Sequence, residues 1–143
     1  MLISVDLVQD DMGGQLRNGE QIQQFEKSEK QLHVFLKEMG ELSKKSPNGP
    51  VNKFKLDFIN KVLVALNEIL GQDKPFAEFV TFDSDQLPSN SDVRFILAQY
   101  ASSVYSFRLK ETGTDDNFHF CWIVGGKLSK FNAGNPESFR YPL

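Results

Sequence analysis

The sequence contains one cysteine, Cys121, and two histidines, His33 and His119. A single cysteine excludes a disulfide within the chain, which mildly favours a reducing compartment. Zinc sites need three or four ligands, usually with a local pair of Cys or His residues, and no such spacing occurs here. The Gly-Gly-Lys run at 125–127 also lacks the spacing of a phosphate loop. We therefore expect neither a metal nor a bound cofactor.

Long apolar runs and an excess of positive charge are missing as well. No stretch reaches the roughly 18 apolar residues that are needed to span a membrane. Asp6, Asp10 and Asp11 interrupt the apolar start of the chain, so we expect no signal peptide. The formal net charge is −3, whereas nucleic-acid binders cluster Lys and Arg to neutralise phosphates. We expect a cytoplasmic, acidic protein that binds neither a membrane nor a nucleic acid.

The length and composition that remain are those of one globular domain. The chain has 143 residues, of which 40% are hydrophobic and 24% are charged, close to the averages for globular proteins. A domain of this size buries roughly two thirds of the surface that its unfolded chain exposes. The sequence holds thirteen Phe residues, and because Phe carries no polar atom we expect most of them to line the core. We predict a single domain over residues 1–143.

Two neighbouring segments carry the period of amphipathic helices. In Glu20–Lys45 the apolar residues recur at steps of three, four and seven, which is the period of one helix face. A second apolar stripe runs through Lys53–Leu70 and ends before Gly71, where a left-handed C-cap is expected. Only a run rich in Pro and Gly, residues 46–50, separates the two segments. We therefore predict an antiparallel helical hairpin.

A third helix is predicted at Ser89–Phe107. Ser89 and Asp92 have the spacing of a capping box, with Asp in place of the usual Glu. The end of this helix is ambiguous, because residues Tyr105–Glu111 alternate in a way that also fits a strand. Residues 113–117 are rich in turn formers and predict a turn in either case.

The strands are predicted from short apolar and β-branched runs. Leu2–Val8 and Asn117–Val124 have this composition, and two glycines end the second run. Phe76–Phe82 alternates loosely and fits either a strand or an extended packed segment. The last seventeen residues look irregular. The predicted fold is α+β, with three main helices, the first two a helical hairpin, packed with a small, mainly antiparallel sheet.

The residues with the best claim to a ligand-binding site are Asp83, Arg94, His119 and Cys121. Asp83 lies in an acidic turn whose Asp-x-Asp pair suits Ca²⁺ or Mg²⁺, but the rest of the calcium-loop pattern is missing. His119 and Cys121 would share one face of a strand, although a buried structural cysteine is the simpler interpretation. No third residue is evident that would orient such a pair for catalysis. We assign no catalytic residue.

Two classes of function remain open. The first is a non-catalytic binding or regulatory module, which acts on a protein partner, or on a second copy of itself, through an apolar and aromatic surface. The absence of a catalytic pattern and the many aromatic residues favour this class. The alternative is a small enzyme or small-ligand-binding protein whose pocket is built from scattered polar residues, which a single sequence does not reveal. A deep pocket with convergent polar groups would favour the alternative, and an exposed apolar patch the first.

Overall fold

The computed structural model describes residues 16–141. Along these residues, three α-helices are followed by a three-stranded antiparallel sheet with the order β1-β2-β3. The elements are α1 (Gly19–Lys45), α2 (Lys53–Leu70), α3 (Asn90–Lys110), β1 (Thr112–Thr114), β2 (Phe120–Val124) and β3 (Lys127–Asn132). Short 3₁₀ turns lie at Gly71–Asp73 and Pro136–Phe139. The α+β class and the helical hairpin are as predicted.

The helical hairpin is bounded by side-chain caps. The Asn18 side chain accepts a hydrogen bond from the backbone N–H of Gln21 at the start of α1, and Asn52 caps α2 in the same way. These caps satisfy backbone donors that the first turn of a helix leaves unpaired. At the end of α2, Gly71 has a positive φ, 54°, but its ψ of −118° is not that of the predicted left-handed helical cap. Such a φ is strained for residues with a Cβ atom.

Helix α3 starts at the same end of the molecule as α2. An isolated antiparallel bridge joins Pro50 to Ser89, just before the two helices begin. The Ser89 hydroxyl accepts the N–H of Asp92, as the predicted cap requires. The helix continues to Lys110, so Tyr105–Glu111 does not form a strand. Val104, Phe107 and Arg108 are all buried, and this helical periodicity outweighs the local alternation.

The segment between α2 and α3 returns along the helices as an extended strap without strand pairing. The predicted strand at Phe76–Phe82 is therefore wrong, and the extended packed alternative holds. The Asn60 side chain accepts the N–H of Phe82 and donates to its carbonyl, both at 3.0 Å. Asn67 donates to the carbonyl of Val80 at 2.9 Å. Two helix side chains thus satisfy backbone groups that a neighbouring strand would otherwise pair.

The sheet differs from the prediction at three places. Strand β2 begins at Phe120 rather than at Asn117, because the backbone turns sharply at Phe118, where φ is 63°. Strand β1 occupies part of the predicted turn at 113–117, and β3 lies in the stretch predicted to be irregular. Neither strand carries a run of buried apolar residues, and both pair with β2. The predicted strand Leu2–Val8 lies outside the described residues.

The core lies between the three helices and β2. Phe25 packs against Phe107 and Trp122, with ring centroids 5.1 and 5.3 Å apart. The expectation that most Phe residues line the core is wrong, since only two are fully buried and five are exposed: Phe54, Phe58, Phe95, Phe118 and Phe131. None of the helices described between residues 16 and 141 combines the length and apolar composition that crossing a membrane requires.

Candidate functional site

The four residues predicted to form a site occupy separate elements. Asp83 is exposed in the strap, where its carboxylate accepts the N–H of Asp85. Arg94 is exposed on α3. His119 lies just before β2 with 71% of its side chain exposed, and its Nδ1 is 3.4 Å from Oδ2 of Asp115.

Cys121, by contrast, is only 6% exposed on β2. Within residues 16–141, no hydrogen bond or ion pair joins any two of these four residues. The histidine that sequence analysis placed beside Cys121 is paired with a carboxylate in the β1–β2 turn instead. The same described range contains no cluster of three or more His, Cys, Asp or Glu residues suited to a metal ion.

A groove with a largely apolar surface runs between α1 and the segment that contains Phe139 and Tyr141. We call it the α1 groove. Its volume is about 510 Å³, within the range of known ligand sites. Its lining residues are Glu26, Glu29, Lys30, His33, Val34, Lys37, Phe139 and Tyr141. The α1 residues among them follow the period of one helix face, and the 3₁₀ turn Pro136–Phe139 brings Phe139 to the opposite wall.

A buried ion pair anchors one side of the α1 groove. Arg108, on α3, donates from Nε to Oε2 of Glu29 at 3.0 Å and from Nη2 to Oε1 at 2.6 Å. The remaining terminal nitrogen of Arg108, Nη1, donates to the carbonyl oxygen of Ala133 at 2.7 Å. Such bidentate, charge-assisted pairs are strong and geometrically specific. The pair therefore joins α1 to α3 and to the chain that follows β3.

Aromatic rings enclose the guanidinium group of Arg108. Its central carbon lies 3.5 Å from the ring centroid of Phe139 and 4.8 Å from that of Trp122. The planar cation is weakly hydrated and stacks favourably on aromatic faces. Phe139 therefore contacts Arg108 and also lines the α1 groove, so the ion pair helps to hold this wall in place.

The environment of the α1 groove shifts two pKa values in opposite directions. Burial raises the pKa of Glu29 above its ordinary value of 4.5, while the hydrogen bonds and charge of Arg108 oppose that rise. Burial also lowers the pKa of His33 below 6.5, and the nearby charge of Arg108 adds to this effect. His33 packs against Tyr141, with ring centroids 5.3 Å apart. At neutral pH the His33 ring is therefore uncharged, and together with Tyr141 it forms part of the groove wall.

The charged side chains of the α1 groove fall into two groups. The two carboxylates have protein donors: Glu29 is paired with Arg108, and Glu26 accepts from Nε1 of Trp122 at 3.2 Å. The two lysines form the second group. Within residues 16–141, neither Lys30 nor Lys37 makes a hydrogen bond or an ion pair. Among residues 16–141, two lysine charges without a carboxylate partner therefore lie beside an apolar surface. The Glu26 carboxylate keeps its own charge, because the indole of Trp122 is neutral.

A second groove, between α1 and α2, is more polar. Its volume is also about 510 Å³. Phe58 and Val62 contribute apolar surface, but Gln23, Gln24 and Gln31 line it as well. Exposed Phe58 is in edge contact with exposed Phe54, with ring centroids 5.1 Å apart. Of the two grooves, the α1 groove has the larger apolar share of surface.

Four residues that line or support the α1 groove were not predicted as site residues: Glu29, Arg108, Phe139 and Tyr141. The sequence does carry a signal for Glu29 and Arg108. In α1 the apolar stripe steps by seven residues from Phe25 to Leu32, and Glu29 occupies the gap. Arg108 continues the buried stripe of α3 one turn beyond Val104. Opposite charges at buried positions of two helix stripes indicate a buried pair, because an unpaired buried charge is very costly.

Comparison with known proteins provides no further assignment. No protein-family model matches the chain, and no curated protein or solved structure is significantly similar to it. Any function must therefore be argued from the chemistry of the surface itself.

Proposed function

We propose that this protein is a non-catalytic binding module that receives an apolar segment of a partner protein in the α1 groove. The observation that carries the proposal is the groove itself, an open, mainly apolar surface walled by Val34, Phe139 and Tyr141. Exposed apolar surface of this kind on a globular protein commonly marks an interaction site. A cytoplasmic location and a partner other than nucleic acid belong to the same proposal, and the single cysteine and the net charge of −3 support them.

The walls of the α1 groove are suited to rigid docking. Phe139 is stacked on Arg108, which is itself held by Glu29 and by the Ala133 carbonyl. Side chains fixed in this way lose little conformational entropy when a partner binds, so more of the interaction energy appears as affinity. The exposed Phe residues elsewhere supply further apolar surface, and the α1 groove is the concave part that can enclose a side chain.

A small apolar probe tests whether the α1 groove binds at all. N-phenyl-1-naphthylamine is uncharged, and its fluorescence increases in apolar surroundings. We expect saturable binding to the native protein and at least a tenfold weaker affinity in Val34→Asp, because the charge would be placed in an apolar wall. Val34 is 59% exposed, so the variant should fold.

Val64→Asp is the matched control, since Val64 is a similarly exposed valine on α2. It should bind the probe like the unmodified protein. Equal weakening in both variants, or no saturable binding to the unmodified protein, contradicts the proposal. Light scattering over a range of concentrations tests whether the occupant of the α1 groove is a second copy of this chain. Self-association that Val34→Asp abolishes would identify a second copy of this chain, rather than a different protein, as the partner.

A further inference from the structure

We propose that the partner segment is acidic as well as apolar, with its apolar side chains in the α1 groove and its carboxylates paired with Lys30 and Lys37. This inference rests on the proposed function, because it specifies the chemistry of the partner at the same groove. It concerns a protein segment rather than a lipid or a nucleic acid, since both of the latter would require more positive charge than two lysines provide.

The two lysines lie on the same side of α1. Lys30 and Lys37 lie seven residues apart on α1, so they are two helical turns, or roughly 10 Å, apart along one face. Val34 and His33 lie between them in sequence, and all four residues line the groove. A segment that places an apolar side chain against Val34 therefore has a cation available toward each end. Carboxylates on either side of that apolar side chain in the partner segment would meet these two cations.

The α1 groove also contains two acidic residues. Glu29 and Glu26 would repel an acidic partner if their charges were unopposed. The charge of Glu29 is opposed by that of Arg108 in the bidentate pair. Glu26 accepts a hydrogen bond from the neutral indole of Trp122 and keeps its charge, so the two lysines outnumber the one carboxylate whose charge is unopposed. Lys30 and Lys37 have no hydrogen-bond or ion-pair partner within residues 16–141. Complementary charge of this kind increases specificity and the rate of association.

His33 lies between the two lysines in sequence and lines the same groove. Burial and the charge of Arg108 lower its pKa, so it remains neutral at physiological pH. Its ring is packed on Tyr141 and extends the apolar wall between the two lysines. The groove thus has a neutral centre with cationic flanks, and an acidic, apolar segment has the complementary arrangement.

Three labelled peptides distinguish the contribution of charge to binding from that of the apolar side chains. In the first, leucines are interspersed with glutamates; in the second, glutamine replaces each glutamate; in the third, lysine replaces it. Binding is measured by fluorescence anisotropy at low salt and is located by NMR shifts of the amides of residues 30–37 and 139–141. We expect the glutamate peptide to bind roughly threefold to tenfold more tightly than the glutamine peptide, the range for two exposed ion pairs. The lysine peptide should bind most weakly.

Two lysine variants test the assignment to specific residues. Lys30→Gln combined with Lys37→Gln should remove the preference for glutamate over glutamine. Lys44→Gln combined with Lys45→Gln is the control, since these lysines lie on the same helix but do not line the groove. It should retain the preference, and added salt should reduce it in the unmodified protein.

The outcomes distinguish failure of this inference from failure of the proposed function. Equal binding of the three peptides, with shifts at the groove and a loss in Val34→Asp, would overturn the acidic partner and leave a purely apolar docking site. Binding of the naphthylamine but of none of the peptides would also overturn it, since the groove would then accept small molecules rather than protein segments. If neither the naphthylamine nor any peptide binds at the groove, the proposed function itself is wrong.

Discussion

Glu29 and Arg108 are separated by 79 positions in the sequence and are joined by two hydrogen bonds, of 3.0 and 2.6 Å. Both side chains are almost fully removed from solvent. The pair connects α1 to α3, and through Arg108 it also connects Ala133 and Phe139 to the helices. One buried pair thus holds together the helices, the chain after β3 and one wall of the α1 groove.

Replacing only Arg108 should destabilise the protein strongly. Arg108→Met leaves the Glu29 carboxylate and the Ala133 carbonyl buried without their donors, so we expect a loss of about 3–5 kcal/mol in the free energy of unfolding. Urea denaturation provides the measurement. Arg108→Met combined with Glu29→Met should recover most of the loss, because no buried charge remains. A single substitution that costs under about 1 kcal/mol would show that the pair is open to solvent.

His33 should make stability depend on pH. Its pKa is lower in the folded protein than its ordinary value of 6.5, mainly because of burial. As the pH falls through this value, the unfolded chain takes up a proton before the folded protein does, so the free energy of unfolding decreases. The difference in stability between His33→Gln and the unmodified protein should therefore shift in favour of the variant as the pH falls below 6.5.

This comparison isolates His33 from Glu29. The raised pKa of Glu29 acts in the opposite direction, since the folded protein then binds a proton more readily than the unfolded chain. Glu29 is present in both proteins, so its contribution largely cancels in the difference. A difference that stays constant between about pH 7.5 and pH 5 would mean that the His33 ring titrates as it does in the unfolded chain.

Leu63 tests the packing of the helical hairpin. Its side chain is fully buried on α2, so Leu63→Ala should cost about 2–5 kcal/mol in urea denaturation, through lost burial and the cavity that remains. The adjacent Val64 is largely exposed, and Val64→Ala should change stability by no more than about 0.5 kcal/mol. Similar costs for the two substitutions would place the buried face of α2 elsewhere.

Asn60 tests the attachment of the strap. Asn60→Ala removes both hydrogen bonds to the backbone of Phe82, and we expect a loss of about 1–3 kcal/mol, because part-buried backbone groups are left without partners. Hydrogen exchange should become faster at the Phe82 amide. Amides within α1, such as that of Leu36, should be protected as before when they are compared at equal global stability. Unchanged exchange at Phe82 would show that apolar packing alone holds the strap.

The helices could be predicted closely because their signals are local. The bounds of α2 match the predicted Lys53–Leu70, and Ser89 caps α3 as its sequence context indicates. Apolar periodicity, capping side chains and Pro or Gly after the last turn all act within a few residues. The β2–β3 hairpin also had such a signal. Gly125 and Gly126 both have positive φ, as two-residue hairpin turns require, and the sequence analysis took them only as the end of a strand.

The sequence by itself determined the three helices and the hairpin that the first two form, whereas of the strands predicted within residues 16–141 only Asn117–Val124 corresponds to an observed strand, β2. Tertiary structure alone decided that β1 pairs with β2, that Asn60 takes the place of a strand partner for Phe82, and that Glu29 meets Arg108. The physical reason is the range of the interactions. Helix periodicity and capping depend on neighbours in the chain, whereas strand pairing, buried ion pairs and grooves depend on contacts between residues distant in sequence.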